Sequence, residues 1–208
     1  MAKIIYIESS PRKSRSHSIK ISEEFLEHYT KEHPNDTIEK IDLWVEVLPA
    51  FSDDILNAKY SIMHGSEPSA DEKKAWGEIE SLFKKFNSGD KYLFSVPMWN
   101  FGLPYVLKHY IDVITQPGLA WAFTPEAGYT GLVEGKAAVI YATGGEYSVG
   151  SQTEAFDLQK PAFENWLAFI GLTDVSSIII APTLAHPNEV EKTVNTCVEE
   201  AKKMAKIF

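Results

Sequence analysis

The chain has 208 residues, 20 basic and 29 acidic, for a formal net charge of −9. That balance excludes nucleic acid as a partner, because such binding needs Lys and Arg to neutralise phosphates, and it disfavours an anionic membrane surface. No apolar run approaches the roughly 18 residues of a membrane span, and one cysteine, Cys197, rules out an internal disulfide or a multi-cysteine metal site.

Residues 3–7 read as a buried strand. Residues 16–31 read as a helix, with Ile19, Leu26 and Tyr29 on one stripe and Ile21 and Phe25 beside it. A turn at His33-Pro34-Asn35-Asp36 leads to a second strand over 37–43. Ser69 and Glu72 form a capping-box pattern ahead of a helical stripe at Trp76, Ile79, Phe83 and Phe86. A third strand follows over 90–96. A helix over 103–115 has Pro104 in its first turn, where a missing N–H costs little. A fourth strand spans 136–143, a helix 158–170 ends at Gly171, and a fifth strand spans 175–181. The closing helix, 188–208, repeats Val190, Val194, Cys197, Ala201, Met204 and Phe208 at steps of three and four.

Strands with apolar centres that alternate with helices indicate a parallel sheet covered on both faces. At about 150 residues per domain, one domain over residues 1–208 is expected. Two insertions interrupt the alternation. Residues 44–68 hold room for one helical turn around 53–60. Residues 116–134 carry Trp121, Phe123 and Tyr129 among Gly118, Gly128 and Gly131. Met1-Ala2-Lys3 and the short apolar run after it stop at Glu8 and Arg12, too early for a signal peptide, so a cytoplasmic protein is expected.

In an open parallel sheet, ligands bind beyond the carboxyl ends of the strands. Three loops fall there. The first runs Glu8-Ser9-Ser10-Pro11-Arg12-Lys13-Ser14-Arg15-Ser16-His17-Ser18. It lacks the glycines of a Walker loop or a dinucleotide turn. Its hydroxyls and amides at a helix N-terminus make a phosphate site, with Arg12, Lys13 and Arg15 adding positive charge. The alternative is a helix cap in a solvated basic loop. The second loop, Pro97-Met98-Trp99-Asn100-Phe101-Gly102, places aromatic residues at a strand end. They suit a flat aromatic ligand, with Asn100 offering a donor and an acceptor to its edge. The alternative is a loop buried under the Trp121 insertion. In the third, Thr143-Gly144-Gly145, the glycines permit close backbone approach, or form an ordinary turn.

A phosphate end, a flat apolar wall and a polar backbone edge together have the shape of flavin mononucleotide. Ser9, Ser16-His17-Ser18, Pro97-Met98-Trp99-Asn100-Phe101 with Leu107-Lys108, Thr143-Gly144-Gly145 and Phe169-Ile170-Gly171-Leu172-Thr173-Asp174-Val175 resemble the FMN-dependent NADH azoreductases, among the flavodoxin-like quinone reductases. The resemblance runs nearly the whole chain. It implies a flavodoxin-like three-layer α/β sandwich with a five-stranded parallel sheet, and a homodimer with FMN sites at the subunit interface. By the same resemblance, Ser9, Ser16, His17 and Ser18 hold the phosphate. Pro97, Met98, Trp99, Asn100 and Phe101 line the isoalloxazine ring, and Thr143, Gly144 and Gly145 bond its pyrimidine edge. Trp121 and Phe123 match substrate-pocket positions. The implied reaction is ping-pong hydride transfer, from NADH or NADPH through flavin N5 to a quinone or azo compound. Where the family often has an arginine before the paired glycines and a histidine after them, this chain has Thr143 and Tyr147. Tyr147 is a candidate proton donor in the substrate pocket.

The rival function is a one-electron flavodoxin-type carrier, which has no use for a roofed pocket. A cysteine phosphatase needs its nucleophile in the first loop, and a receiver domain needs an aspartate where Val96-Pro97 stands. Cys197, Trp76 and Trp166 fit core stripes, and Trp44 is placed to reach the pocket or a partner subunit.

Overall fold

The computed structural model describes residues 1–208. Five strands form one all-parallel sheet: β1 (Lys3–Glu8), β2 (Thr37–Asp42), β3 (Lys91–Pro97), β6 (Lys136–Ala142) and β7 (Asp174–Ile180). Their order is β2-β1-β3-β6-β7. Helices cover both faces, giving the expected three-layer α/β sandwich. The order reverses direction at β1, so the loops after β1 and β3 flank the switch point where such sheets take ligands.

Period-two alternation sorts the side chains of the central strands to two faces. Ile5, Ile7, Tyr92, Phe94, Val139 and Tyr141 pack under α3 (Ala70–Phe86), α4 (Tyr105–Ile114) and α5 (Lys160–Ile170). Ile4, Tyr6, Leu93, Ala138 and Ile140 pack under α1 (His17–Glu32) and α6 (Pro187–Ile207). Each fully buried large side chain contributes about 1.5–3 kcal/mol, and both faces of β1, β3 and β6 are apolar, so the sheet centre is fixed from both sides. Trp76, Trp166 and Cys197 sit in these cores as expected. Burial pushes the Cys197 thiol up to about 11. No helix is long and apolar enough to cross a membrane.

The Ser69–Glu72 capping box forms at the start of α3, and Gly171 closes α5 with φ +113°. Three elements differ from the sequence expectation. The turn expected near residues 53–60 is a helix of 11 residues, α2 (Asp53–Met63), which buries Ile55 and Ala58. The helix expected from residue 158 starts at Lys160. Asp157 takes the capping role there, its Oδ1 accepting from the Gln159 and Lys160 amides at 3.0 Å, while the Leu158 amide is drawn off to the Phe101 carbonyl.

The third difference is in residues 116–134, which form an antiparallel hairpin of β4 (Trp121–Thr124) and β5 (Gly128–Gly131). It packs on the end of α5. The Val133 amide donates to the Ile170 carbonyl at 2.9 Å, and a Cβ on Gly131 would lie 2.2 Å from the Gly171 nitrogen. Only glycine permits that approach. Because α5 runs antiparallel to the strands, its end and the hairpin lie at the amino-terminal rim of the sheet.

Candidate active site

The carboxyl ends of β1, β3 and β6 are neighbours in the sheet, so the three loops singled out in the sequence converge on one rim. Nine of their amides donate to no acceptor within the chain, among them those of His17, Ser18, Asn100, Phe101, Gly144 and Gly145. Each of these amides is left for water or for a ligand's acceptor.

At the first loop, Ser16 caps α1, its Oγ accepting from the Ile19 amide at 3.4 Å and lying 3.2 Å from the Ser18 Oγ. Ser9, Ser16 and Ser18 are buried, and the first turn of α1 holds no acidic residue. The unopposed helix dipole favours an anion there. The Ser9 hydroxyl donates to the Ser95 carbonyl at 2.6 Å, tying the first loop to β3. The His17 pKa is lowered by burial, then by the Arg12 and Lys20 charges. A cleft of about 550 Å³ opens here between the starts of α1 and α6, lined by Arg15, Ser16, His17, Lys20 and Asn195.

Lys13 departs from the expectation that it adds charge to a phosphate site. Its Nζ turns to Glu8 Oε1 at 2.6 Å and to Asp42 Oδ2 at 2.5 Å. Burial works against that ammonium charge, and the bonds to Asp42 and Glu8 outweigh it, holding the Lys13 pKa above the usual lysine value. Arg12 and Arg15 remain exposed.

The second loop is a tight turn. Trp99 and Gly102 exchange backbone bonds of 2.9 Å, and Asn100 and Phe101 adopt φ of +46° and +69°. Such backbone is costly outside glycine and persists where the surroundings hold it. Pro97, Met98 and Trp99 are half-buried, and Phe101 is exposed, its ring 6.3 Å from Tyr147 and 5.5 Å from Phe156. The Trp121 insertion does not cover this loop. Trp99 packs instead on Trp44 (5.8 Å) and Tyr105 (6.1 Å). Trp44 Nε1 also donates to the Ser9 carbonyl at 3.0 Å, joining the first two loops. Nothing in the sequence points to Tyr105, because a helix-start tyrosine carries no local signal of its partner.

In the third loop, the Thr143 hydroxyl donates to the Gly145 carbonyl at 2.7 Å and so shapes the turn. A Cβ on Gly145 would lie 3.2 Å from the Tyr147 hydroxyl, so the glycine keeps that side of the loop thin. A pocket of about 360 Å³ beside it is lined by Tyr141, Thr143, Tyr147, Asp157 and Gln159. The buried Tyr141 hydroxyl has no partner.

Trp121 and Phe123 lie on the hairpin at the other rim, among Tyr129 and Phe169. Within one protomer they do not meet the three loops. His109 Nε2 pairs with the Pro49 carbonyl at 2.9 Å, fastening the first insertion to α4. No group of three or more His, Cys, Asp or Glu side chains is arranged to hold a metal ion.

The model of a flavodoxin-like fold family matches residues 2–205. An FMN-dependent NADH:quinone oxidoreductase of Desulfotalea psychrophila is 45% identical over 99% of this chain and 97% of its own length. The chain belongs to this family. Among solved structures, an azoreductase from Bacillus anthracis superposes with a TM-score of 0.91 at 30% identity, covering 100% of both chains. A second B. anthracis FMN-dependent NADH-azoreductase, solved in complex with FMN, gives 0.85 at 27% identity, covering 99% of this chain and 100% of its own. The site fits FMN by its donor set. Free amides and buried hydroxyls at an uncontested helix N-terminus suit a phosphate, and two further pairs of free amides flank an aromatic turn.

Proposed function

We propose that this chain is an FMN-dependent NADH:quinone oxidoreductase that also reduces azo compounds, acting as a cytoplasmic homodimer of one-domain subunits. The observation that carries the reading is the rim of unpaired amides at the ends of β1, β3 and β6, in a chain that matches such an oxidoreductase almost end to end. The chemistry supplied by bound FMN is two-electron hydride acceptance from NADH and donation to the quinone or azo compound, in ping-pong order.

The chain's own residues bind and orient. The His17 and Ser18 amides and the Ser16 and Ser18 hydroxyls hold the phosphate. Ser9 joins them as a donor only by releasing the Ser95 carbonyl. Pro97, Met98, Trp99, Asn100 and Phe101 would line the ring, with the Asn100 and Phe101 amides free to donate to it. The Gly144 and Gly145 amides act as fixed dipoles that stabilise negative charge at the pyrimidine edge, in a turn that Thr143 shapes. Tyr147, beside Phe101, is placed to hold a proton at its hydroxyl for the acceptor. The exposed hairpin supports the dimer reading, since Trp121 and Phe123 can roof only a second copy's site. An electron carrier has no need of such a roof.

The test is steady-state turnover of the purified flavoprotein with a quinone and with an azo dye, each with NADH and NADPH. Reduction of either acceptor without a partner reductase is expected. Bound FMN with no turnover would favour the carrier, and a protein that binds no FMN would overturn the flavin reading.

A further inference from the structure

Strands β1 and β2 stay in register to their last residues, which sets Glu8 directly beside Asp42. Like charges side by side on neighbouring strands repel. Glu8 is 2% exposed, and a buried carboxylate needs a counter-charge. Lys13 supplies it to both carboxylates at once, and Lys40 adds a longer contact of 3.4 Å to Glu8. Lys13 is in the loop with φ +49°, a left-handed backbone that side chains other than glycine avoid. Its carbonyl then accepts from the Ser16 amide at 2.8 Å, and Ser16 caps α1. A continuous set of bonds therefore runs from two strand-end carboxylates to the free amides of His17 and Ser18.

We propose that Lys13 is a positioning residue, a latch between Glu8, Asp42 and the first loop that holds Ser16, His17 and Ser18 ready for a phosphate without touching it. The proposal rests on the FMN reading and specifies what prepares that site. A loop that must be ordered during binding gives up apparent affinity in proportion to how seldom it is ordered beforehand.

The experiment measures FMN affinity of the apoprotein by quenching of flavin fluorescence. Variants are Lys13→Gln, Lys13→Arg, the pair Glu8→Gln with Asp42→Asn, the triple variant, and Asp42→Asn alone, which leaves the Lys13–Glu8 bond in place. The latch predicts about tenfold weaker binding for Lys13→Gln, rescue by Lys13→Arg, and weaker binding for the carboxylate variants although they remove negative charge. The triple variant is no worse than Lys13→Gln. Trypsin also cuts the apoprotein faster after Arg15 in Lys13→Gln, which a phosphate contact would not cause. If the carboxylate variants bind FMN as well as or better than the unaltered protein, or if the triple losses add, the latch is wrong. If the unaltered protein binds no FMN, the flavin reading fails instead.

Discussion

The two rims of the sheet differ in how their loops are held. At the amino-terminal rim side-chain carboxylates take up the amides at the start of β1. The Ala2 amide goes to Asp36 and the Lys3 amide to Asp90, both at 2.7 Å, while Lys91 Nζ donates to the Tyr29 hydroxyl at 2.6 Å. At the carboxyl rim nine loop amides are left over, and left-handed backbone is tolerated at Lys13, Asn100 and Phe101. Left-handed backbone outside glycine costs free energy, and in this chain it falls at the carboxyl rim.

The largest expected effect tests whether the rims are separable. Gly171→Ala places a Cβ 2.5 Å from the Val133 carbonyl at φ +113°. It should cost about 3 kcal/mol in urea unfolding and leave FMN affinity unchanged in the folded protein. A parallel loss of affinity would show that the rims are coupled.

Next is His17→Glu, which puts a carboxylate in the first turn of α1. It should weaken FMN binding roughly 30-fold, about 2 kcal/mol, while the apoprotein melts no lower, because an acid at that position suits the helix dipole. Retained affinity would move the phosphate away from α1.

Removing the hairpin aromatics, Trp121→Ala with Phe123→Ala, should raise the quinone KM about fivefold with FMN affinity intact. An unchanged KM would confine the hairpin to the fold.

The smallest effect is a pH dependence. The folded His17 pKa lies below its ordinary value, so the unfolded chain binds the proton more readily. Apoprotein stability should therefore fall as pH drops through about 6.5. His17→Gln should remove that part of the slope in urea midpoints measured on either side. An unchanged slope would assign it to other groups.

The sheet is legible in the sequence because the centres of β1, β3 and β6 are apolar on both faces, which only a covered parallel sheet explains. The three loops are legible because strand order fixes where they meet. The hairpin is not, since its strands are four residues each and the second is Gly128-Tyr129-Thr130-Gly131, with no apolar alternation to read. Lys13 is misleading in the sequence because local charge says nothing of register. Only the pairing of β1 with β2 brings Glu8 and Asp42 together and claims the lysine. The joining role of Trp44 is equally nonlocal, being set by a carbonyl 35 residues earlier.

The hairpin's place at the far rim also has a consequence for mixtures. In the two-fold pair proposed above, each subunit would hold its own cofactor and roof its partner's. A His17→Glu subunit would bind its own cofactor weakly but still offer an intact roof. A subunit with Trp121→Ala and Phe123→Ala keeps its cofactor but offers a poor roof. Joined in one such dimer, the two defects would fall on the same site and leave the other whole, so mixing the two impaired proteins should restore activity as their subunits exchange.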